Sequence, residues 1–382
     1  MSRHKILFVD HTAVMGGAEL SLLDLASAYA HTSKVLLFQD GLLRELLEQA
    51  GIRVNIVSVS KSTINLRTSG GLSSLATIPE LWNIAGFIAQ EAKHYDLILA
   101  NSQKAFVTAA ISSLRGSPPI VWYLHDILTA NHFSKINRTV AIFLANQFAA
   151  KVIVNSHATG KAFIAAGGKP ELIEVVYNGF DSYKFDHIQI GEVQAVRSQL
   201  EIGNAPLVGL FSRLSYWKGQ HVLLEAIKEL PQVQVILVGT ALFGEEEYVS
   251  ELETLAAIPE LKDRVHWLGF RDDVPTLMKA CDIIVHASTE PEPFGRVIVE
   301  GQLAQKPTIA SAAGGALEII EDGKNGCLFP AGNAIALRQS IQKLIENPSL
   351  VKTLSQQGYL SATQNFSSAT ILKDFAQALT KI

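Results

Sequence analysis

Short apolar runs alternate with amphipathic stretches along almost the whole chain. This pattern is typical of parallel strands that are buried on both faces and covered by helices. In the first half it predicts strands at Lys5–Asp10, Lys34–Gln39, Arg53–Val57, Leu97–Ala100, Ile120–Leu124, Lys151–Asn155 and Glu174–Tyr177. In the second half it predicts strands at Leu207–Ser212, Val233–Gly239, Val265–Gly269, Ile283–Ala287, Thr308–Ser311 and Gly326–Phe329. The expected fold class is therefore α/β.

The two halves begin alike, with a strand, a loop that contains glycine, and an amphipathic helix. The strand pattern lapses between Asp181 and Ala205, so we expect two Rossmann-like, doubly wound domains at residues 1–185 and 186–365. Residues 366–382 form a further amphipathic segment, which is expected to be a helix that could pack back on the N-terminal domain. Ligands of such sheets bind beyond the carboxyl ends of the strands, so two facing domains would bring their loops into one cleft.

Composition favours a cytoplasmic protein. Of the 382 residues, 48% are apolar and 18% charged, which is enough apolar material to fill two cores. The two cysteines, Cys281 and Cys327, lie in apolar contexts that indicate packing, as in a reducing compartment. The N-terminal residues lead directly into a strand without a signal-peptide pattern, and no apolar run approaches the roughly 20 residues that span a bilayer.

Charge is distributed unequally between the halves. Residues 1–185 hold 16 Lys and Arg against 13 Asp and Glu, whereas residues 186–382 hold 16 against 23. The net charge of −4 excludes wholesale nucleic-acid binding, but the first half could face an acidic or membrane-bound partner. The apolar segment Arg138–Ala150, flanked by Lys135 and Lys151, is either a core helix or a face that contacts the inner side of a membrane.

Two glutamates, Glu292 and Glu300, lie on either side of a glycine turn. Pro and Gly residues preclude a regular element up to Gly295, and a helical pattern follows over residues 296–306. Glu292 is therefore expected on a loop and Glu300 on the helix. The free N–H groups at the start of this helix would suit an anion, and the carboxylates would suit hydroxyl groups. A nucleotide sugar carries both an anion and hydroxyl groups. The alternative is a solvated acidic loop with a helix glutamate paired to a nearby arginine.

The helical wheel places Glu300 in an apolar arc between Leu303 and Ala304. A partly buried carboxylate in that arc needs a hydrogen-bond donor. The opposite, solvent-facing side is expected to hold Gln302, Gln305 and Lys306.

Two cations, Arg213 and Lys218, follow the first strand of the second domain. A guanidinium and an ammonium near a helix N-terminus suit a diphosphate and would stabilise the charge of a departing one. Solvated loop cations are the alternative.

The first half contributes fewer candidates. Gly16 and Gly17 form either a plain tight turn or a place where a ligand approaches the backbone, and the full dinucleotide pattern G-x-G-x-x-G is absent. His125, at the end of a predicted strand, either contacts a sugar or is a loop histidine beside the helix-capping Asp126. No His or Cys cluster has metal-ligand spacing, so no metal and no cofactor are expected.

These motifs, taken in order along the chain, resemble those of the retaining nucleotide-sugar glycosyltransferases of family 4, which have the two-domain GT-B fold. The paired glutamates around Phe294 and Gly295 match the family's motif, as do the two cations after the strand. Further matches are the Gly-Gly loop, residues 178–181 (Asn-Gly-Phe-Asp) and residues 314–318 (Gly-Gly-Ala-Leu-Glu). Ser212 and Pro293 stand where many members have Gly.

The resemblance implies roles for these positions. Glu300 would bind the ribose hydroxyls, Glu292 and the backbone near Phe294 the transferred sugar, and Arg213 with Lys218 the diphosphate. Backbone near Phe270 and Arg271 would hold the base, and His125 would contact the sugar near the reacting carbon. The implied catalytic residues are His125, Glu292, Arg213 and Lys218. The implied donor site comprises Gly16, Gly17, Ser212, Arg213, Lys218, Gly239, Phe270, Arg271, Glu292, Pro293, Phe294, Gly295, Arg296, Val297 and Glu300.

The expected function is therefore transfer of a hexosyl group, with UDP-glucose as the best candidate donor, to a saccharide or lipid-linked saccharide. Transfer would retain the anomeric configuration without a metal, either by same-face attack or through Glu292 as a nucleophile. The alternatives are a nucleotide-sugar binding protein without chemistry and a GT-B epimerase that interconverts nucleotide sugars.

Overall fold

The computed structural model describes residues 4–57, 59, 78–129, 134–241 and 244–382. The N-terminal residues 1–3, which entered the signal-peptide argument, lie outside this range. The chain divides into two units, residues 1–179 together with 368–382, and residues 180–367.

The first unit contains one parallel sheet. Its strands in the described residues are β1 (Ile6–Asp10), β2 (Lys34–Leu37), β3 (Arg53–Ile56), β4 (Leu97–Ala100), β5 (Ile120–Leu124), β6 (Ala149–Val154) and β7 (Ile173–Val175), in the spatial order β3-β2-β1-β4-β5-β6-β7. Its helices are α1 (Gly17–Ala28), α2 (Leu42–Gln49), α3 (Ile78–Ala92), α4 (Gln103–Ser112), α5 (Lys135–Phe148) and α6 (His157–Ala165). Apolar clusters cover both faces of the sheet, which explains the continuous apolar strand sequences.

The second unit repeats this plan. Its strands are β8 (Leu207–Phe211), β9 (Gln234–Val238), β10 (Val265–Gly269), β11 (Ile283–His286), β12 (Thr308–Ser311) and β13 (Cys327–Phe329), in the order β10-β9-β8-β11-β12-β13 within the described residues. Its helices are α7 (Tyr183–Asp186), α8 (Ile190–Gln199), α9 (Gln220–Ile227), α10 (Glu246–Ala256), α11 (Val274–Ala280), α12 (Arg296–Leu303), α13 (Ala316–Ile319), α14 (Ala334–Glu346) and α15 (Pro348–Asn365). Both cysteines are buried and unpaired, in agreement with a packing role.

The last helix, α16 (Ser368–Leu379), belongs to the first unit. Phe375 is fully buried and packs edge-on against Tyr29 of α1, with ring centroids 5.9 Å apart. The first unit ends at Gly179, earlier than residue 185. The reason is that Phe180 already pairs with the second unit, where its N–H donates to the carbonyl of Phe366 at 2.9 Å.

Strand order reverses direction between β1 and β4 in the first sheet and between β8 and β11 in the second. A crevice forms at such a point because the connections leave to opposite sides, and open α/β sheets bind ligands there. The loops after these four strands carry most of the residues singled out from the sequence.

Helix α5 is buried on one side and exposed on the other. Ala141, Ile142 and Ala145 are buried against the core, whereas Ile136 and Phe143 are 65% and 61% exposed. No helix within the described ranges is both long and apolar enough to cross a bilayer.

Candidate functional site

The loop after β8 is held against the end of β11. Gly219 has φ +70°, and a Cβ atom at this position would lie 2.0 Å from the carbonyl oxygen of Ala287. The N–H of Thr289 donates to the carbonyl of Trp217 at 2.8 Å. Glycine is required at residue 219 because both the left-handed backbone and the close approach exclude a side chain. The loop that carries Lys218 is thereby fixed beside the loop that carries Glu292.

Lys218 and Glu292 form an ion pair, with 2.6 Å between Nζ and Oε1. Each side chain is only 14% exposed. The other carboxylate oxygen, Oε2, accepts hydrogen bonds from Ser288 Oγ at 2.7 Å and from His286 Nε2 at 3.0 Å. An ionised carboxylate can only accept, so His286 carries its hydrogen on Nε2. Three donors from two loops and one strand end thus fix the Glu292 carboxylate.

These contacts determine the charge state of the pair. Burial alone would raise the pKa of Glu292, but the Lys218 ammonium and the His286 hydrogen bond outweigh burial and hold this pKa well below its usual value. Burial lowers the pKa of Lys218, although Glu292 acts in the opposite direction. Glu292 is therefore a carboxylate at neutral pH.

Trp217 lies close to both cations of the loop. Lys218 Nζ is 4.0 Å and Arg213 Cζ is 5.6 Å from the centroid of a Trp217 ring. The ring face attracts both positive charges and orients them. Sequence reasoning selected both cations and missed Trp217, although its position between them in the same loop was an available signal.

Glu300 lies one helical turn after Arg296 on α12, with 3.6 Å between Arg296 Nε and Glu300 Oε1. Its side chain is 18% exposed, in agreement with the expected partly buried position. The arginine partner corresponds to the alternative interpretation of this glutamate, and binding of the ribose hydroxyls stays a prediction. Val297 follows on the same first turn of the helix.

The sequence predicts that Gln302 lies on the solvent-facing side of α12, and this prediction is wrong. This residue is fully buried, and its Nε2 donates to the carbonyl of Asn325 at 3.1 Å. Helix α15 covers this side: a Cβ atom at Gly358 would lie 3.1 Å from Gln302 Cγ. The helix also ends at Leu303, short of Lys306, because Gln305 adopts φ +59°.

In the turn before α12 the Phe294 side chain is buried and the backbone is held by a glycine pair from the next loop. Phe294 is 2% exposed and packs on Phe180 and Phe366, with ring centroids 6.2 and 5.6 Å away. Its side chain therefore points into the core. Gly295 has φ +99°, and the N–H of Gly315 donates to the carbonyl of Glu292 at 2.8 Å. The pair Gly314-Gly315 thus packs against the segment from Glu292 through Pro293 to Phe294, where a Cβ atom at either glycine would collide.

Four remaining predicted donor residues lie at the ends of β8, β9 and β10. At Gly239 the backbone has φ +134°, and a Cβ atom would lie 2.0 Å from the carbonyl oxygen of Ser212, so this glycine joins two strand ends. Phe270 is 63% exposed. Arg271 binds Asp273 through two hydrogen bonds of 2.7 and 2.6 Å, which hold its side chain to its own loop.

In the first unit, His125 ends a hydrogen-bonded chain that begins at Asp10. Asp10 is fully buried, and its Oδ2 accepts from Asn101 Nδ2 at 2.6 Å. Because this contact uses the Asn101 amide N–H, the Asn101 oxygen must accept from His125 Nε2, at 2.9 Å. The chain links the ends of β1, β4 and β5 and fixes the His125 ring, which is 8% exposed.

Gly16 and Gly17 connect β1 to α1, with Gly16 at the N-cap and Gly17 as the first helical residue. Gly16 has an extended backbone, φ −152°, which any residue can adopt, and a side chain there would have to displace the flexible end of the Glu19 side chain. A Cβ atom there would lie 2.8 Å from Oε2 of Glu19. Glu19 was not singled out from the sequence.

Each half of the chain matches a known family model. Residues 15–183 match the model "Glycosyltransferase Family 4", and residues 193–361 match "Glycosyl transferases group 1". Among solved structures, HepE of Anabaena in complex with UDP and glucose is 45% identical, with a TM-score of 0.91 and complete coverage of both chains. The same protein has been solved with UDP-glucose.

Curated relatives match over shorter lengths. The spore coat protein SA of Bacillus subtilis is 36% identical over 41% of this chain and 44% of that protein. The lipopolysaccharide core biosynthesis glycosyltransferase LpsE of Rhizobium meliloti is 31% identical over 50% of this chain and 54% of that protein. The chain spans about half the length of the curated relatives that it matches. With a full-length structural relative and two family models on successive halves, the chain belongs to glycosyltransferase family 4 and has the GT-B fold.

Proposed function

We propose that this protein transfers a hexosyl group, with UDP-glucose as the donor, to a saccharide or lipid-linked saccharide in polysaccharide or glycoconjugate synthesis, with retention of configuration and without a metal. One observation carries the proposal. At the crevice between β8 and β11, Lys218 of the β8 loop pairs with the Glu292 carboxylate, and Arg213 of the same loop lies near the Trp217 ring that Lys218 also contacts. Cations there would bind a diphosphate, and a carboxylate that can only accept would bind sugar hydroxyls.

UDP-glucose is chosen because the 45% identical HepE was solved with UDP and glucose. A metal is not required in this proposal because the two cations would stabilise the charge of the leaving UDP. Glu300 would hold the ribose hydroxyls, and the backbone of Phe294 and Gly295 the sugar. Backbone near Phe270 would hold the base.

In the proposed reaction the acceptor oxygen attacks the anomeric carbon from the side on which the diphosphate leaves. A bond forms from carbon to the acceptor oxygen, the bond from carbon to the β-phosphate oxygen breaks, and the acceptor proton passes to the departing phosphate. The contacts of Glu292 support this course over covalent catalysis. Both of its oxygens already accept hydrogen bonds, and its low pKa makes it a poor nucleophile. His125 would contact the sugar near the reacting carbon.

The double substitution Arg213→Ala/Lys218→Ala tests the diphosphate role. We expect a loss of at least about 100-fold in UDP release from UDP-glucose, measured with a panel of saccharide and lipid-linked saccharide acceptors. The matched control is Lys324→Ala/Arg338→Ala, which removes one Lys and one Arg from exposed ion pairs of the same unit. Near-normal turnover in the first variant would refute the assignment.

The same samples separate the alternatives. Binding of UDP-glucose without UDP release or sugar transfer would indicate a binding protein. Conversion of the sugar in the absence of acceptor, followed by nuclear magnetic resonance, would indicate an epimerase. Retention is read from the anomeric configuration of the product by the same method.

We further propose that the protein contacts anionic membranes through α5. Support comes from its exposed apolar residues Ile136, Val140 and Phe143, which follow Lys135 at helical spacing. Sedimentation with phosphatidylglycerol vesicles should carry down the wild-type protein, and Ile136→Ser/Phe143→Ser should remain in the supernatant. Equal sedimentation of both proteins, or of neither, would refute the contact.

A further inference from the structure

A cavity of about 710 Å³ lies at the amino end of the first sheet. Lys5, which precedes β1, lines it together with Lys34 and Arg53, the first residues of β2 and β3. This volume falls within the range of about 300–1,000 Å³ that is usual for small-molecule sites. The five residues of β1 rise by about 16 Å, so the cavity is separate from the crevice at the carboxyl ends of the same strands.

Three cations meet in this cavity. Lys34 and Arg53 are directly opposite each other in the register of β2 and β3, and their side chains line the cavity with that of Lys5. Like charges that are directly opposite in neighbouring strands repel each other and are destabilising. An anion bound among the three side chains would replace this repulsion by attraction. The arrangement of the cations therefore indicates an anionic ligand.

The carboxylates that line the cavity are already paired. Glu91 accepts a hydrogen bond from Lys34 Nζ at 2.7 Å, and Glu48 accepts one from Arg44 Nη1 at 3.1 Å. The other two cations of the cavity form no ion pair with any side chain in the described part of the chain. Their charges are thus available to a ligand, whereas Glu91 holds Lys34 in place as part of the wall.

Side chains with rings complete the lining. His31 and His94 are exposed, and Tyr95 is half-buried. Imidazole and phenol groups donate hydrogen bonds to anions, and aromatic side chains commonly line the sites of organic ligands. A metal ion is the alternative occupant, but no three His, Cys, Asp or Glu side chains of the described residues are placed to hold one. The nearby Asp96 carboxylate accepts from the Lys5 N–H at 2.7 Å. The cavity therefore suits an organic anion rather than a cation.

We propose that this cavity binds the phosphate group of a small soluble metabolite. Arg53 would hold two phosphate oxygens with its guanidinium group, and the Lys5 ammonium would bind a third. The organic part of the metabolite would lie against Tyr95 and the two histidines. All of these residues belong to the first unit, so the site does not depend on the donor site proposed around Lys218.

The experiment is calorimetric titration with inorganic pyrophosphate in the Arg213→Ala/Lys218→Ala background, which lacks the cations proposed for the donor diphosphate. We expect one pyrophosphate to bind per chain. Addition of Lys5→Gln/Arg53→Gln should weaken binding at least about tenfold, because charge-assisted hydrogen bonds to the ligand are lost. The matched control Arg138→Gln/Lys161→Gln removes one Arg and one Lys of the same unit from outside the cavity and should leave the affinity unchanged.

Absence of binding in this background, or equal weakening in the test and control variants, would overturn the proposal. Hydrogen exchange of the wild-type protein needs no substitution and locates the ligand. Peptides that contain residues 31–34 and 91–96 should gain protection when pyrophosphate is added. Protection confined to other peptides would contradict the proposed place of binding.

Competition then identifies the source of the phosphate group. UMP and glucose 1-phosphate are each titrated against bound pyrophosphate at about 0.15 M salt, where long-range attraction between exposed charges is largely screened. Displacement by UMP assigns the cavity to a nucleotide, and displacement by glucose 1-phosphate alone assigns it to a sugar phosphate. Displacement by neither compound would refute a metabolite site and leave only the binding of an inorganic ion.

Discussion

Lys218→Met should lower the free energy of unfolding of the second unit by about 2–4 kcal/mol at pH 7. The substitution keeps an unbranched side chain of nearly the same length and removes its charge, which leaves Glu292 buried without its cation. Both side chains are 14% exposed, so solvent replaces little of the lost interaction. The effect should be measurable independently of any ligand.

The magnitude follows from the contacts of the pair. Unit charges about 3.5 Å apart attract by about 5 kcal/mol at an effective dielectric constant of 20. Breaking a buried pair by removing one partner costs about 3–5 kcal/mol. A smaller loss of about 2–4 kcal/mol is expected here because His286 and Ser288 continue to donate to Glu292 Oε2. The double variant Lys218→Met/Glu292→Gln should lose less free energy of unfolding than the two single variants added together. The difference, which is the coupling energy of the pair, should be about 2 kcal/mol.

The pair also determines acid stability. Because the folded pKa of Glu292 is depressed, its contribution is present above the unfolded pKa and is lost as the pH falls through the folded pKa. Without Lys218, burial raises the pKa of Glu292 more effectively. The loss on acidification should therefore begin at a higher pH in Lys218→Met than in the wild type.

Hydrogen exchange measured peptide by peptide in increasing urea is the appropriate assay, because two units need not unfold in one step. Peptides from β8 and β11 should lose protection in Lys218→Met, and peptides from β1 and β4 should not. Lys228→Met, which breaks an exposed pair with Glu225, serves as control and should change stability by less than about 0.5 kcal/mol. The reasoning would be refuted if Lys218→Met also changed the free energy of unfolding by less than about 0.5 kcal/mol. Additive effects of Lys218→Met and Glu292→Gln would refute it as well.

Three further predictions concern other parts of the chain. Glu19→Gln should gain free energy of unfolding relative to the wild type by about 1.4 kcal/mol per pH unit between about pH 5 and 8. The contribution of Glu19 to wild-type stability is complete below its unfolded pKa and is lost as the pH rises toward the folded pKa, which burial and the charge of Asp10 raise to about 8. Chemical denaturation across this range checks the prediction, and a stability difference that does not change with pH contradicts it. Gly219→Ala should cost at least about 2 kcal/mol, because residue 219 has φ +70° and no room for Cβ, whereas Gly203→Ala, at φ +57° with open space, should cost about 1 kcal/mol in the same thermal unfolding series. Phe375→Ala should destabilise the first unit by about 3–5 kcal/mol by leaving a cavity beside Tyr29, and unchanged exchange in β1 peptides would speak against it.

The strands were the most predictable elements. Each predicted strand lies within two residues of an observed one. The reason is that a parallel strand covered on both faces must be apolar along its whole length, so a short contiguous apolar run indicates where it begins and ends. The loops at the carboxyl ends followed from the same pattern, which is why the sequence alone indicates Arg213, Lys218 and Glu292.

What could not be predicted depends on contacts between distant parts of the chain. His286 ends an apolar strand and resembled any other strand residue, yet the return of the loop through Glu292 turns it into a hydrogen-bond donor. The polar character of Gln302 indicated solvent, but docking of α15 buries it. The raised pKa of Glu19 likewise requires Asp10 and Asp126, which strand order brings near.

The return of α16 to the first unit has a consequence for synthesis on the ribosome. The seven strands that the structure describes in the first sheet emerge early, but Phe375 and Leu379 complete one of its apolar clusters. Roughly 190 residues of the second unit are made in between, which takes about 10–40 s at the usual rate of translation. During that interval the nascent first unit exposes the apolar surface around Tyr29 that α16 later covers. Nascent chains arrested before residue 368 should therefore bind chaperones that recognise apolar surface, and chains extended beyond Leu379 should be released.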